Sequence, residues 1–327
     1  MSLTTSFVLN NETVLCRYTG EEWLPIKIDM PHDFANNSEL YQTYQVGCVP
    51  LLIEGEAAEI TETIVVNQPD SQSNNQPILP ATYAITVCYA KSHNVNVPAP
   101  TLEIGNDNSH ENVNQPVTSG SVALVTYRQL VPHLPVALAC QLSQAIQLLR
   151  WQADTKFCSR CGDAVTVATQ GERAMVCSGC GLRQYPRVQP CVITAITRPN
   201  PLTGEIQILL AHHHRYGRQT PPLQYGLIAG FVEVGESLEQ AVMREVGEEV
   251  GIKVTDINYV SSQPWPFPSN LMLGFRACYA SGDIVLQEDE LSHADFFDIS
   301  NLPKIPFKGS IAYQLIEQIA DEYGISL

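Results

Sequence analysis

The chain reads as an α/β protein: a C-terminal α/β/α sandwich, preceded by a four-cysteine ribbon and an N-terminal α+β domain. Three observations predict this. Apolar, strand-like runs at 190–198, 206–212, 226–232, 255–261, 271–279 and 293–298 are interleaved with helical patterns at 237–250 and 309–323, an order that packs helices on a sheet. Two CxxC pairs stand upstream of the first of these runs, and short strand-like segments dominate the residues before them. The resulting boundaries are 1–153, 154–186 and 187–327.

In the N-terminal part, YQTYQV, TETIVV, TYAITVCYA and SVALVTYRQL are the strand candidates. Two polar stretches, 67–77 and 105–116, lack apolar periodicity and read as loops or insertions. A helix over 135–153 leads into the ribbon. Residues 134–150 come nearest to a membrane span, but Gln141, Ser143, Gln144 and Gln147 give them a polar face. No membrane association is expected. The start, MSLTTSFVLNNETVLC, lacks the basic opening and apolar centre of a signal peptide. A cytoplasmic location is the expectation.

The ribbon itself is Cys158-x2-Cys161 followed by Cys177-x2-Cys180, each pair in a Cys-Gly knuckle, CSRCG and CSGCG. Each pair grips one side of a tetrahedral Zn2+, and four thiolates make a closed, structural site. Redox-active pairs or unliganded thiols are the alternatives. Cys16, Cys48, Cys88, Cys140, Cys191 and Cys278 lie in apolar stretches and read as buried free thiols.

Residues 230–252, GFVEVGESLEQAVMREVGEEVGI, carry the chemistry. They fit G-x5-E-x7-R-E-U-x-E-E-x-G-U, with U a bulky aliphatic, which is the Nudix box. Ser237–Val250 reads as one helix, with Leu238, Ala241, Val242, Val246 and Val250 on its apolar face. Ser237 is its N-cap and Gly251 its stop. Glu245 and Glu249 project side by side, with Glu248 one turn from Glu245. No Lys or Arg follows Glu245 at helical spacing to neutralise it, whereas Arg244 is placed to pair with Glu236. Like charges so arranged repel, and a divalent cation reverses the sign of that energy; hard oxygen ligands suit Mg2+ or Mn2+. A solvated acidic face is the bland alternative, and the glycines and the arginine, not the glutamates, argue against it.

Downstream, SQPWPFP cannot be helical, because Pro264, Pro266 and Pro268 hold it extended and display Trp265 and Phe267. Rings held this way stack on a base, or pack on the core or at a dimer contact. The run His212–His214 reads as an incidental, phosphate-near or surface run, since consecutive residues on a strand or loop do not easily converge on one ion. With 18 Lys+Arg against 34 Asp+Glu, the net charge of −16 excludes a broad electrostatic grip on nucleic acid, though not entry of a single 5′ end.

The zinc ribbon, the Nudix box and SQPWPFP together resemble the NADH pyrophosphatase family, the NudC-like Nudix hydrolases, over the C-terminal half of the chain. The resemblance implies hydrolysis of the NAD(H) pyrophosphate to NMN(H) and AMP, removal of NAD caps from RNA 5′ ends, and a homodimer. It implies one structural Zn2+ and roughly two or three catalytic Mg2+ or Mn2+ ions. The metal residues would be the carbonyl of Ala229, Glu245, Glu249 and, outside the box, Glu290; Glu248, Arg244 and Glu236 complete the catalytic set. The substrate residues would be Arg128, Glu172, Tyr185, Phe231, Gln263, Pro264, Trp265, Pro266, Phe267, Pro268, Ser269, Asn270 and Ala312. Two departures stand out: Asn270 occupies a position where the family has serine, and one residue is inserted between Arg128 and the ribbon. The competing readings are a Nudix hydrolase of another nucleoside diphosphate derivative, such as ADP-ribose or a dinucleoside polyphosphate, and a non-catalytic nucleotide-sensing Nudix protein.

Overall fold

The computed structural model describes residues 3–10, 12–25, 27–31, 41–48, 83–90, 120–168, 173–214 and 222–327. The segment TETIVV, the polar stretches 67–77 and 105–116, and Glu172 lie outside the described residues. The chain divides into two units, Met1–Pro186 and Arg187–Leu327.

In the first unit, β1 (Leu3–Asn10) pairs antiparallel with β2 (Thr13–Tyr18) and β4 (Lys27–Pro31), and parallel with β6 (Tyr83–Ala90). Strand β2 also carries β3 (Trp23–Pro25) and β7 (Val122–Thr126), while β5 (Tyr41–Cys48) lies along β6. The strand expected at SVALVTYRQL stops at Thr126, and Tyr127–Leu130 is a helical turn, α1. The reason is local. Tyr127 and Leu130, one turn apart, are both buried, and the Tyr127 hydroxyl donates to the Ala139 carbonyl at 2.8 Å.

That carbonyl belongs to α2 (Val136–Asp154), whose Leu138, Leu142, Ala145, Ile146 and Leu149 are buried. The polar face expected on this helix is narrower than its sequence suggests, because Gln141 and Ser143 are buried too; the Ser143 hydroxyl accepts from Gln147 Nε2 at 3.1 Å. Arg150 pairs with Glu12 of the β1–β2 hairpin. The thiols of Cys16 and Cys191 are buried as expected, and those of Cys140 and Cys278 are exposed. Cys140 sits on the outer stripe of α2, and Cys278 follows buried Ala277 on a strand, where successive side chains alternate faces. Three short antiparallel strands, β8 (Val165–Val167), β9 (Met175–Cys177) and β10 (Arg183–Gln184), build the ribbon with β9 in the centre.

The second unit is one mixed sheet between two helices. Its strands are β11 (Gln189–Pro199), β12 (Ile206–His213), β13 (Ile228–Phe231), β14 (Lys253–Trp265), β15 (Asn270–Ser281) and β16 (Leu291–Asp298). Its helices are α3 (Leu238–Val250) and α4 (Ile311–Glu322). The order is β14-β15-β11-β12-β16, with β13 also on β11. Strand β11 runs parallel to β15; along its other edge, Thr197–Pro199 pair with β12 and Cys191–Thr194 with β13. One edge thus serves two strands that diverge.

Strands β11 and β12 read as continuous apolar runs because both of their faces are covered. Val192, Ile196, Leu209 and Ala211 meet Ala241, Val242, Val246 and Val250 of α3. Their neighbours Ile193, Ala195, Ile208 and Leu210 meet Ile311, Leu315, Ile316 and Ile319 of α4. Each fully buried large aliphatic contributes about 1.5–3 kcal/mol, so both helices are fixed on the sheet by packing. Among the described residues, no helix is long and apolar enough to cross a membrane.

Candidate active site

Helix α3 starts and stops where its sequence directs. The Ser237 hydroxyl accepts from the Gln240 amide at 3.2 Å, and the Gln240 side-chain oxygen accepts from the Ser237 amide at 2.8 Å, a reciprocal capping box. The helix ends on Gly251, whose φ of 72° is the left-handed conformation that glycine adopts without strain.

Arg244 is the hub of the acidic face. Its Nε and Nη2 grip both carboxylate oxygens of Glu236 at 2.6 and 3.0 Å. Its Nη1 reaches Glu245 at 2.8 Å and Glu248 at 2.9 Å, and Nη2 also donates to the Phe231 carbonyl at 2.8 Å. These contacts use the full donor set of a guanidinium. Glu236 in turn accepts from the Glu233 amide at 3.0 Å, which closes the turn ahead of the helix. The expectation of an Arg244–Glu236 pair therefore holds. No Lys or Arg stands four residues after Glu245, but Arg244, its immediate neighbour, reaches it. The hydrogen bonds from Arg244 hold the Glu236 carboxyl below the ordinary range and, reciprocally, hold the guanidinium's own pKa up.

Gly230 explains how Glu245 fits. A Cβ built there would lie 1.9 Å from the Glu245 carboxyl carbon, so the carboxylate rests directly against the backbone of β13. Burial pushes the Glu245 carboxyl up; Arg244 pulls it down, and the charges of Glu248 and Glu290 push it up again. Glu249 is 1% exposed, and its Oε2 lies 4.0 Å from Nε2 of His213. Glu290 arrives from the loop between β15 and β16, which the amides of Val285 and Gln287 fasten to the carbonyls of Val250 and Glu249 at 3.0 Å each. Three carboxylates, Glu236, Glu245 and Glu248, thus converge on one guanidinium, while Glu249 lies against His213 and Glu290 comes from the neighbouring loop. Among the described residues only the four cysteines lie close enough to share one ion as placed; buried Glu249 and half-buried Glu245 offer the hard oxygen donors that suit a divalent cation, with Glu248 and Glu290 exposed beside them.

The 262–270 segment is strand up to Trp265 and then turns back into β15, so its prolines do keep it from helix. Gln263 is committed internally: its Nε2 donates to the Gly309 carbonyl at 2.9 Å, and its Oε1 accepts from the Ile311 amide at 2.8 Å, which ties β14 to the start of α4. Trp265 lies edge-on to Phe267 at 5.3 Å and stacks with Phe307 at 6.3 Å. Pro264 and Pro268 are exposed, while Pro266 is buried. The Ser269 carbonyl accepts from the Gln189 amide at 2.9 Å. Asn270, the departure from serine, is buried at the foot of β15, opposite Gln189 and Trp265. Ala312, in the first turn of α4, packs in the core, and the Phe231 ring is half exposed. The structure thus joins the 263–270 turn to the start of α4, and joins Phe231 to the acid cluster through Arg244. Arg128, on α1, and Tyr185, after β10, are exposed side chains of the first unit.

In the ribbon, the four sulfurs lie within 4.8 Å of one another, with Cys158 and Cys180 3.6 Å apart and Cys161 and Cys177 3.4 Å apart. A tetrahedral zinc with bonds of about 2.3 Å sets sulfurs about 3.8 Å apart, and a disulfide would need about 2.05 Å. The thiols fit zinc. Amides in the knuckles, chiefly that of Cys161, lower the Cys158 thiol to about 6, and the Cys180 amide likewise lowers Cys177, whereas Cys161, against the pull of the Asp163 amide, is pushed up to about 12 by the neighbouring thiols and burial.

His213 is the residue that sequence reasoning missed. The available signal was strand parity: His213 follows Leu209 and Ala211 on the face of β12 that covers α3.

The comparisons with known proteins agree with this geometry. The NUDIX domain model matches residues 189–318, and the NADH pyrophosphatase zinc ribbon domain model matches 153–185. The NAD-capped RNA hydrolase NudC of Pseudomonas aeruginosa (strain LESB58) is 42% identical over 205 residues, 63% of this chain and 70% of that one. Its namesake from Klebsiella pneumoniae (strain 342) is 49% identical over 176 residues, 53% of this chain and 63% of that one. That of Escherichia coli O9:H4 (strain HS) is 45% identical over 192 residues, 58% and 69% of the two chains. With the four-thiol ribbon, the Nudix sandwich and relatives of this extent, the chain belongs to the NADH pyrophosphatase, or NudC-like, family of Nudix hydrolases.

Proposed function

We propose that the chain hydrolyses the pyrophosphate bond of NAD(H), releasing NMN(H) and AMP, and that the same cut removes NAD caps from RNA 5′ ends. The observation that carries this reading is the acid cluster: Glu236, Glu245 and Glu248 held on Arg244, with Glu249 buried beside His213. The 263–270 turn in the same unit, with the aromatic pair Trp265 and Phe267, supports a nucleotide as the substrate.

We assign Glu245, Glu249, Glu290 and the Ala229 carbonyl to the cation, Mg2+ or Mn2+. Bound there, it supplies neutralisation of the charge that develops on the diphosphate. The protein's own groups do the rest. Arg244 keeps Glu245 and Glu236 in place while the substrate enters. Glu248 is exposed and held through Oε2, which leaves Oε1 to orient the attacking water and take its proton. Phe231 offers its half-exposed ring to a base or to nicotinamide. The resemblance alone supports Arg128, Glu172 and Tyr185 as substrate contacts and a homodimer; a cytoplasmic location follows the sequence expectation, and the ribbon model's match to 153–185 supports dividing the first unit at residue 154.

The test is product analysis. NADH incubated with the protein and Mn2+ or Mg2+ is expected to give AMP and NMNH in equal amounts. Turnover of ADP-ribose that exceeds that of NADH by a wide margin would overturn the substrate. NAD-capped RNA assayed in parallel reads the second activity.

A further inference from the structure

His213 ends β12, and 2% of its side chain is exposed. Its neighbour His212 shows what an ordinary core histidine does: Nδ1 lies 2.7 Å from the Gln224 carbonyl and the ring packs on Tyr225. His213 has a different environment. It points to the opposite face, toward α3, with Nε2 4.0 Å from Oε2 of a carboxylate as buried as itself. It is also tied to the other end of the site, since it pairs with Leu291 and the next amide, that of His214, donates to the Glu290 carbonyl at 2.9 Å. One strand end thus lies between two acids that reach the site from different elements.

A buried carboxylate is costly unless it is compensated, and carboxylates that ligate metals are usually held by a hydrogen-bond donor behind them. The separation of 4.0 Å is longer than a hydrogen bond and within ion-pair reach, and about an ångström of approach would make it one. We propose that His213 is the positioning residue for Glu249: its Nε2–H holds one carboxylate oxygen so that the other is presented to the cation. This rests on the reading of Glu249 as a cation ligand.

The experiment measures Mn2+ binding without substrate, by the EPR signal of free Mn2+, in wild type, His213→Gln and His213→Phe. Glutamine keeps an N–H near the Nε2 position; phenylalanine keeps the ring volume and removes the donor. His213→Phe is expected to bind Mn2+ about 10-fold more weakly or worse, and His213→Gln to recover most of the loss, with both melting near wild type. Equal Mn2+ affinity in all three proteins overturns the proposal. A wild-type readout is independent of any folding defect: Mg2+ is expected to shift the 15N resonance of His213 Nε2 while its proton is retained, and an unresponsive ring overturns the proposal. Nitrogen coupling in the Mn2+ pulsed EPR spectrum, the mark of a directly bound imidazole, overturns it as well. No arm uses NADH, so a wild-type protein that failed to cleave NADH would remove the proposed activity and leave the Mn2+ comparison standing.

Discussion

The ribbon and the acid cluster gather donors in opposite ways. The ribbon takes its four sulfurs from two knuckles on a small antiparallel sheet, and the knuckles' own amides lower the thiols of Cys158 and Cys177. The acid cluster draws on the turn before α3, on α3 itself, on the end of β12 and on the loop before β16, with an arginine linking the first two and main-chain bonds fastening the last. The first site is built from local geometry and the second from the packing of a whole domain. Breaking one should therefore be a matter of folding, and breaking the other a matter of chemistry.

The largest effect expected is on the ribbon. Four-thiolate sites contribute about 10–16 kcal/mol of metal binding to folding. Cys158→Ser combined with Cys177→Ser should abolish zinc, read as one ion per chain lost by elemental analysis, and should collapse the ribbon's NMR dispersion. Retained dispersion without zinc would erase the contrast. Next comes Glu249→Gln, which should leave the far-ultraviolet dichroism unchanged and reduce NADH turnover by roughly 10²- to 10³-fold, the worth of several kcal/mol of charge stabilisation. Arg244→Lys follows, because three donors replace five and the fork is lost. A fall of roughly 10- to 100-fold in kcat/KM is expected, with weaker Mn2+ binding, at about 1.5–3 kcal/mol per charged hydrogen bond.

The smallest effect has the opposite sign. Burial raises the Glu245 carboxyl in the fold, so its ionised form is disfavoured there relative to the unfolded chain. That penalty is present above the folded pKa and disappears as pH falls through it. Metal-free Glu245→Gln should therefore melt slightly above wild type at pH 8, and the gain should shrink on acidification, while activity is lost. A lower melting point at pH 8 would show that the hydrogen bond from Arg244 outweighs burial.

The same contrast explains what was legible in the sequence. The ribbon spacing, the α3 apolar face and both of its caps are short-range features, and each appears in the structure where its residues put it. Arg244 was legible as a partner of Glu236 but not as the hub for Glu245 and Glu248, because a guanidinium on a long side chain reaches both its neighbour and the next turn. Glu290 was visible only through the family resemblance, since the loop that brings it is set by main-chain contacts with α3. His213 was obscured by the run it sits in: three consecutive histidines look alike until strand alternation sends His212 and His213 to opposite faces. The turn at Tyr127–Leu130 was hidden inside an apolar run that suits strand and helix equally.

The fastening of the loop before β16 has a consequence of its own. The amides of Val285 and Gln287 do the holding, and any residue except proline supplies an amide. The exposed side chains there, Glu288 and Asp289, take no part in that holding, while Ile284 and Leu286 pack on the core. The number of residues between Gln287 and Glu290 cannot change, because one more or one fewer would carry the carboxylate past its place. The segment works as a ruler, marked in peptide units, that measures the distance from the end of α3 to the last acid.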